Sequence, residues 1–222
     1  MIVTLIVFFN QYQTNSISNM LGVSTTGSTT RTVSSLSGSG DLTDINLAEL
    51  KSTGHTIAAV FPVENIQTAE DAIAIMFPTG TPEYGEELGV SYDDPIASLS
   101  VLAKMYRSLK SEVQQNDPEG WAKFMNLATK PVGISCEYCC GVGPIGIDSS
   151  GNSRCGCQHN PAVLTVGLYL AAYTDYTDGE ILREVMRWKT LFFPKNMIEL
   201  GMTVAGGDTS ALSSLPGMVG GC

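Results

Sequence analysis

Soft metal ligands are concentrated in one short segment of this 222-residue chain. Residues 136–159 contain five of the six cysteines and one of the two histidines. Thiolate and imidazole groups bind soft and borderline metal ions, and thiols also form or exchange disulfides. The segment therefore predicts a metal site, a redox site or a disulfide knot. Its six candidate ligands are Cys136, Cys139, Cys140, Cys155, Cys157 and His159.

The spacing of these side chains indicates how they would share one ion. Two residues separate Cys136 from Cys139, which lets two thiolates face the same ion. Alternate side chains of an extended segment point to one side, so Cys155, Cys157 and His159 are expected to share a face. Adjacent cysteines do not easily bind one ion together. The preferred ligands are therefore Cys136, Cys139, Cys155 and Cys157, with Cys140 or His159 as an alternate.

Zinc is the favoured metal because it takes cysteine and histidine ligands and needs no redox partner. Copper(I) competes if the domain lies outside the cytoplasm, and an iron–sulfur cluster also fits the thiol count. Two alternatives without a metal stay open. The cysteines are disulfide staples of a surface or interaction module, or they form the dithiol of a thiol–disulfide oxidoreductase. Cys136-x-x-Cys139 resembles a redox motif, but the βαβ pattern that accompanies it in thioredoxins is missing.

Composition and motifs argue against several other functions. The formal net charge is -10, and an acidic surface repels the phosphates of nucleic acids. The chain has no Gly-x-Ser-x-Gly, phosphate-binding loop or dinucleotide fingerprint, so a non-enzymatic role is favoured. A hydrolase that pairs Cys140 with His159 stays open. The sequence identifies no protein partner.

The pattern along the chain predicts four regions. Residues 1–10 are apolar but shorter than the roughly 20 residues of a membrane span; they are interpreted as the remnant of a membrane anchor or as a short buried element. Residues 11–54 are rich in Ser, Thr and Gly and predict a flexible linker. A helical domain is expected over 55–202 and a flexible tail over 203–222. This layout is typical of a protein tethered to the extracytoplasmic face of a membrane, with a cytoplasmic protein as the alternative.

The expected fold is mainly α. It is a small helical domain with a Gly/Cys-rich metal-knuckle loop at 133–160, preceded by a disordered Ser/Thr-rich linker. Thr68 and Thr177 begin capping boxes, and the helix after residue 160 is apolar nearly all round, so it is expected at the centre of the core. Its positive end is expected to lower the pKa of nearby thiols. Three N-cap residues precede a proline at the first helical position, in Asp94-Pro95, Asp117-Pro118 and Asn160-Pro161.

A resemblance accompanies these motifs. The pattern Cys-x-x-Cys-Cys-Gly at 136–141, followed by Cys-Gly-Cys-x-His-Asn at 155–160, resembles an uncharacterised family of prokaryotic, cysteine-rich, membrane-tethered proteins. Residues 79–95 and 188–194 contribute to the likeness, which covers 55–202. The loop is also faintly similar to proteins with a Pro-Cys-Tyr-Cys-Gly-Cys motif, from which its Cys-x-x-Cys-Cys order departs. The resemblance implies a domain and a tether, and it transfers no catalytic residue.

Overall fold

The computed structural model describes residues 42–207 and 215–220. The predicted anchor at 1–10 and residues 11–41 of the predicted linker lie outside the described residues. The described part is mainly helical and contains no strand, which confirms the predicted fold class. A 3-10 turn spans Val63–Asn65. The α-helices, in chain order, are α1 (Thr53–Val60), α2 (Ala69–Met76), α3 (Gly85–Leu88), α4 (Pro95–Asn116), α5 (Pro118–Ala128), α6 (His159–Tyr173), α7 (Asp178–Phe192) and α8 (Pro194–Ala205).

Four of the side-chain caps that fix the starts of these helices were predicted from the sequence. The Asp94 carboxylate accepts the Ala97 N–H of α4 at 3.1 Å, and Asp117 does the same for α5 with Gly120 at 3.0 Å. Capping boxes at Thr68 and Thr177 start α2 and α7. Each cap satisfies backbone donors that the helix itself leaves unpaired and stabilises the fold by about 1 kcal/mol.

The predicted cap at Asn160 is wrong. Helix α6 begins at His159, two residues before the predicted first helical residue Pro161, and its N-cap Gln158 makes no capping bond through its side chain. Asn160 therefore lies inside the first turn, where its amide is buried and hydrogen-bonded to the cysteine loop. A short polar side chain there forms better hydrogen bonds with the loop than with its own helix.

Helix α6 lies at the centre of the core, as its apolar pattern predicts. All its residues from 162 to 171 are buried, and it packs against α4, α5 and α7. Helix α7 also packs on a second group formed by α1, α2 and α8. The loop between α5 and α6 therefore emerges where both helical groups meet. Among the helices described, none combines the length and apolar character of a membrane span.

The ordered domain starts earlier than the predicted boundary at residue 55. Leu42 and Leu50 are buried, and Ser52 caps α1 by accepting the His55 N–H at 3.2 Å. The Leu42 carbonyl also accepts the Thr177 hydroxyl at 2.9 Å. Residues 42–54 therefore belong to the packed domain, since Leu42 and Leu50 anchor this segment in the core while most of the residues between them stay exposed.

The C-terminal region also departs from the predicted flexible tail at 203–222. Helix α8 runs to Ala205, three residues past the predicted end of the domain at 202. Beyond it, the Lys195 N–H donates to Pro216 and the Val219 N–H donates to Phe192, at 3.1 and 2.8 Å. Residues 215–220 thus return to the junction of α7 and α8, next to the cysteine loop.

Candidate metal centre

Two isolated bridges shape the loop that carries the cysteines. Ile134 pairs with Ile145, and Ile147 pairs with Ser153, so the loop folds back on itself twice between α5 and α6. Gly146 lies where the loop backbone passes close to the Asn160 side chain. A Cβ at this position would be 2.5 Å from the Asn160 amide oxygen. Glycine at this position therefore gives the Asn160 side chain room to enter the loop.

The amide of Asn160 holds the two halves of the loop together. Its oxygen accepts the N–H of Cys136 at 3.1 Å. Its nitrogen donates to the Gly146 carbonyl at 2.8 Å and to the Ser153 hydroxyl at 2.7 Å. One fully buried side chain on α6 thus fixes the first cysteine group and the segment just before the second.

The loop gathers four sulfur atoms. Those of Cys136, Cys140, Cys155 and Cys157 all lie within 4.8 Å of one another. Cys157 is 3.3 Å from Cys155 and 3.6 Å from Cys136. Zn–S bonds of about 2.3 Å place the sulfurs of a tetrahedral site about 3.8 Å apart. The cluster therefore has the donor type and size that a tetrahedral metal ion requires.

Two of these sulfurs are joined in this structure. Cys140 and Cys155 form a disulfide with a Cα–Cα distance of 6.2 Å. Cys136 and Cys157 are free thiols. A disulfide sulfur is no longer a thiolate and does not serve as a ligand of the kind that zinc sites use. Metal binding by all four sulfurs requires that this disulfide be reduced.

Two backbone N–H groups in the first turn of the loop point at the sulfur of Cys136. The backbone N–H groups of Cys139 and Cys140 both donate to the sulfur of Cys136. N–H donors aimed at a sulfur favour its charged form, which is the form that binds metal. This contact is local and follows from the Cys-x-x-Cys-Cys spacing.

The second free thiol lies at the start of α6. Its hydrogen bond with Cys136 is the main reason that the pKa of Cys157 falls to about 4, and the first N–H groups of α6 lower it further. The same hydrogen bond and burial raise the pKa of Cys136. The expected effect of the helix terminus on thiol acidity is present, although the helix begins at His159.

His159 is buried beside this thiol, between the rings of Phe192 and Phe193. Its Nε2 lies 2.8 Å from the Val219 carbonyl, which only accepts, so Nε2 carries the proton. Nδ1 is buried and has no hydrogen-bond partner of good geometry. The imidazole also lies within 4.8 Å of the sulfurs of Cys139 and Cys157. Histidines that bind metals are held in the same way, by a carbonyl on the opposite nitrogen.

A buried ion pair ties the loop to α7. The Lys189 ammonium is fully buried and donates to the Gly133 carbonyl at 2.9 Å and to Glu137 at 3.3 Å. Glu137 also accepts the Thr53 hydroxyl at 2.7 Å. Burial lowers the pKa of Lys189, and the negative charge of Glu137 opposes this shift. Glu137 follows Cys136 directly, so the pair fixes the first turn of the cluster against the core.

The structure places the six predicted ligands in two overlapping groups. Cys140 takes the place in the four-sulfur cluster that the spacing had assigned to Cys139. Cys139 is disulfide-bonded and lies instead in the group with Cys157 and His159. The roles of Asn160 and Lys189 were not predicted. The only sequence signal for Lys189 is a charge between Trp188 and residues 190–193, in a run that is otherwise apolar or hydroxylic.

No family model, curated protein or solved structure matches this chain. The resemblance to cysteine-rich, membrane-tethered proteins therefore stays a prediction. The described residues are mainly helical, the chain is rich in cysteine, and its cysteine cluster could hold a metal ion.

We expect Asn160→Ala to destabilise the protein by about 2–4 kcal/mol, because it leaves the buried Cys136 N–H without a partner and removes one of the two hydrogen bonds that the Gly146 carbonyl accepts. Urea denaturation followed by circular dichroism measures the free energy of unfolding. Gln158→Ala is the control, since that exposed side chain makes no capping bond. Equal stabilities of the two variants would contradict the role given to Asn160.

We expect Lys189→Met to lower the free energy of unfolding by about 3–5 kcal/mol, because it leaves Glu137 without its buried partner. A double-mutant cycle with Glu137→Gln is expected to give a coupling energy of about 1–3 kcal/mol. Lys51→Met, at an exposed position, is the control and should change little. Additive effects of the two substitutions would show that the pair is not coupled.

Proposed function

We propose that this protein is a metal-binding protein whose reduced cysteine loop holds one zinc ion through Cys136, Cys140, Cys155 and Cys157. The observation that supports this most directly is the mutual approach of the four sulfurs within 4.8 Å. Four thiolates with no open position are the ligand set of structural zinc sites. Copper(I) handling is the alternative within the same proposal, since soft thiolates also bind that ion.

The surroundings of the sulfurs support a bound cation. The chain has an excess of ten negative charges, and two thiols of the cluster accept backbone N–H groups that favour thiolates. Lys189 brings a positive charge close enough to Cys136 for the two to interact. A zinc tetrathiolate has a formal charge of −2 by ligand count, and a nearby buried cation offsets part of it.

A second candidate function is that of a disulfide-stapled surface or interaction module. The Cys140–Cys155 disulfide favours it. In that case the bond crosslinks the loop, and the domain presents a surface to a partner without binding metal. The two functions differ in one measurable property, which is the metal content of the reduced protein.

We also propose that the protein is tethered to a membrane and faces the extracytoplasmic side. The apolar residues 1–10 and the Ser/Thr-rich residues that follow support the tether. The disulfide supports the compartment, because disulfides persist where the environment is oxidising. A cytoplasmic location is the alternative.

We expect the reduced protein to bind about one equivalent of zinc, detected by elemental mass spectrometry after anaerobic purification. Cobalt(II) in its place should show the visible absorption of tetrahedral thiolate coordination. Cys136→Ser and Cys157→Ser should abolish retention of the metal, and Cys139→Ser should preserve it. Loss of metal in Cys139→Ser with retention in Cys140→Ser would assign the ion to the Cys139, Cys157 and His159 group. If the reduced protein contains no metal, the disulfide-stapled module is the function that remains.

If residues 1–10 end a longer membrane anchor, we expect the protein produced by its source cells to remain with the membrane fraction after an alkaline carbonate wash, because a complete apolar span resists extraction. A variant without residues 1–10 is the matched control and should be released. Equal partitioning of the two forms between pellet and supernatant would rule out a tether at this end.

A further inference from the structure

The four sulfurs of the cluster differ in their access to solvent. Cys136 and Cys155 are buried and Cys157 is partly buried, whereas Cys140 is exposed. A thiol reacts with a bulky reagent only where the reagent reaches it. Cys140 is therefore the position at which a disulfide-containing molecule from solution meets the cluster first.

Cys140 also has a partner that resolves such a reaction. Cys155 is bonded to it in this structure, and their Cα–Cα distance of 6.2 Å lies within the usual range for a disulfide. The same two sulfurs are half of the proposed zinc ligands. Disulfide formation and full metal coordination thus exclude each other.

We propose that Cys140 is a thiol modification site that couples metal release to oxidation by a low-molecular-weight disulfide. This inference rests on the proposed metal binding and describes how that binding is regulated. The oxidant is named by class, as a small disulfide such as oxidised glutathione. Two ligands, Cys136 and Cys157, remain after oxidation, which is fewer than structural zinc sites use.

The reaction has two thiol–disulfide exchange steps. First, the Cys140 thiolate attacks one sulfur of the small disulfide, forms a mixed disulfide and releases one small thiolate. Second, the Cys155 thiolate attacks the Cys140 sulfur of that mixed disulfide, forms the Cys140–Cys155 bond and releases the second small thiolate. The two cysteines lose two electrons, the small disulfide gains two, and zinc stays divalent and is released. A dithiol reductant reverses the reaction and restores the ligands.

The first test uses the full chain with Cys139→Ser and Cys222→Ser, so that the cluster holds the only four thiols. This form is reduced, loaded with one equivalent of zinc and treated with oxidised glutathione. A chromogenic chelator follows released zinc, and intact mass follows the loss of two hydrogens. We expect both signals to rise together, a fall in zinc affinity of more than about 100-fold, and recovery with dithiothreitol.

The outcomes separate this inference from the proposed function. If zinc stays bound after the Cys140–Cys155 disulfide has formed, the redox coupling is wrong and metal binding stands. If the reduced protein never binds zinc, both proposals fall. Zinc release without any disulfide would also overturn the coupling, because the mechanism requires the bond.

The second test compares two variants that each lose one ligand. Cys140→Ser and Cys136→Ser are made in the same background, and their metal-free, reduced forms are treated with oxidised glutathione. Circular dichroism checks that both are folded. We expect Cys136→Ser to form the disulfide at the rate of the parent and Cys140→Ser to react more than about tenfold more slowly, because its remaining thiols are buried or partly buried. Equal rates of the two variants would overturn the assignment of Cys140.

Discussion

The cysteine cluster depends on the three hydrogen bonds of the Asn160 amide. This side chain is buried at the start of α6, the most buried helix of the domain, and it contacts both halves of a loop that has almost no regular structure of its own. Loops without regular structure rely on side chains to satisfy their backbone groups. The rigid core thereby determines where the sulfurs lie, and Gly146 leaves the space that this requires.

A second constraint is electrostatic. Several thiols in one small volume repel one another once they are charged, and the chain is already acidic. Backbone N–H groups at the first turn of the loop and at the start of α6 offset this repulsion. Lys189 does so from the side of α7, where Glu137 keeps its buried ammonium paired. The helices around the loop therefore contribute charge as well as shape.

The cluster connects two chemical states of one site. The disulfide of Cys140 and Cys155 leaves Cys136 and Cys157 as thiols beside it, so the four sulfurs stay close together when two of them are bonded. Because His159 is buried with a free Nδ1, the loop also holds one nitrogen donor next to Cys157.

Much of the fold could be predicted from local signals. Asp94 and Asp117 cap α4 and α5 as expected, because capping involves residues only a few positions apart. The central place of α6 followed from its apolar composition. The helix at residues 53–60 and the packing of residues 215–220 against α7 and α8 were not predicted. Contacts distant in sequence hold both segments, because the Thr56 hydroxyl donates to the Val132 carbonyl and the Val219 N–H donates to the Phe192 carbonyl.

For the site, the sequence by itself determined the chemistry, and the tertiary structure decided the geometry. Residue types and spacing are sufficient to identify five thiols and an imidazole as one potential site, since ligand chemistry belongs to the side chains. Which sulfurs approach one another depends on how the loop folds, and this replaced Cys139 by Cys140 in the four-sulfur group. The contributions of Asn160 and Lys189 arise from contacts 24 and 52 residues apart. Spacing within the motif carries no information about such contacts, because only the packing of the helices brings these residues together.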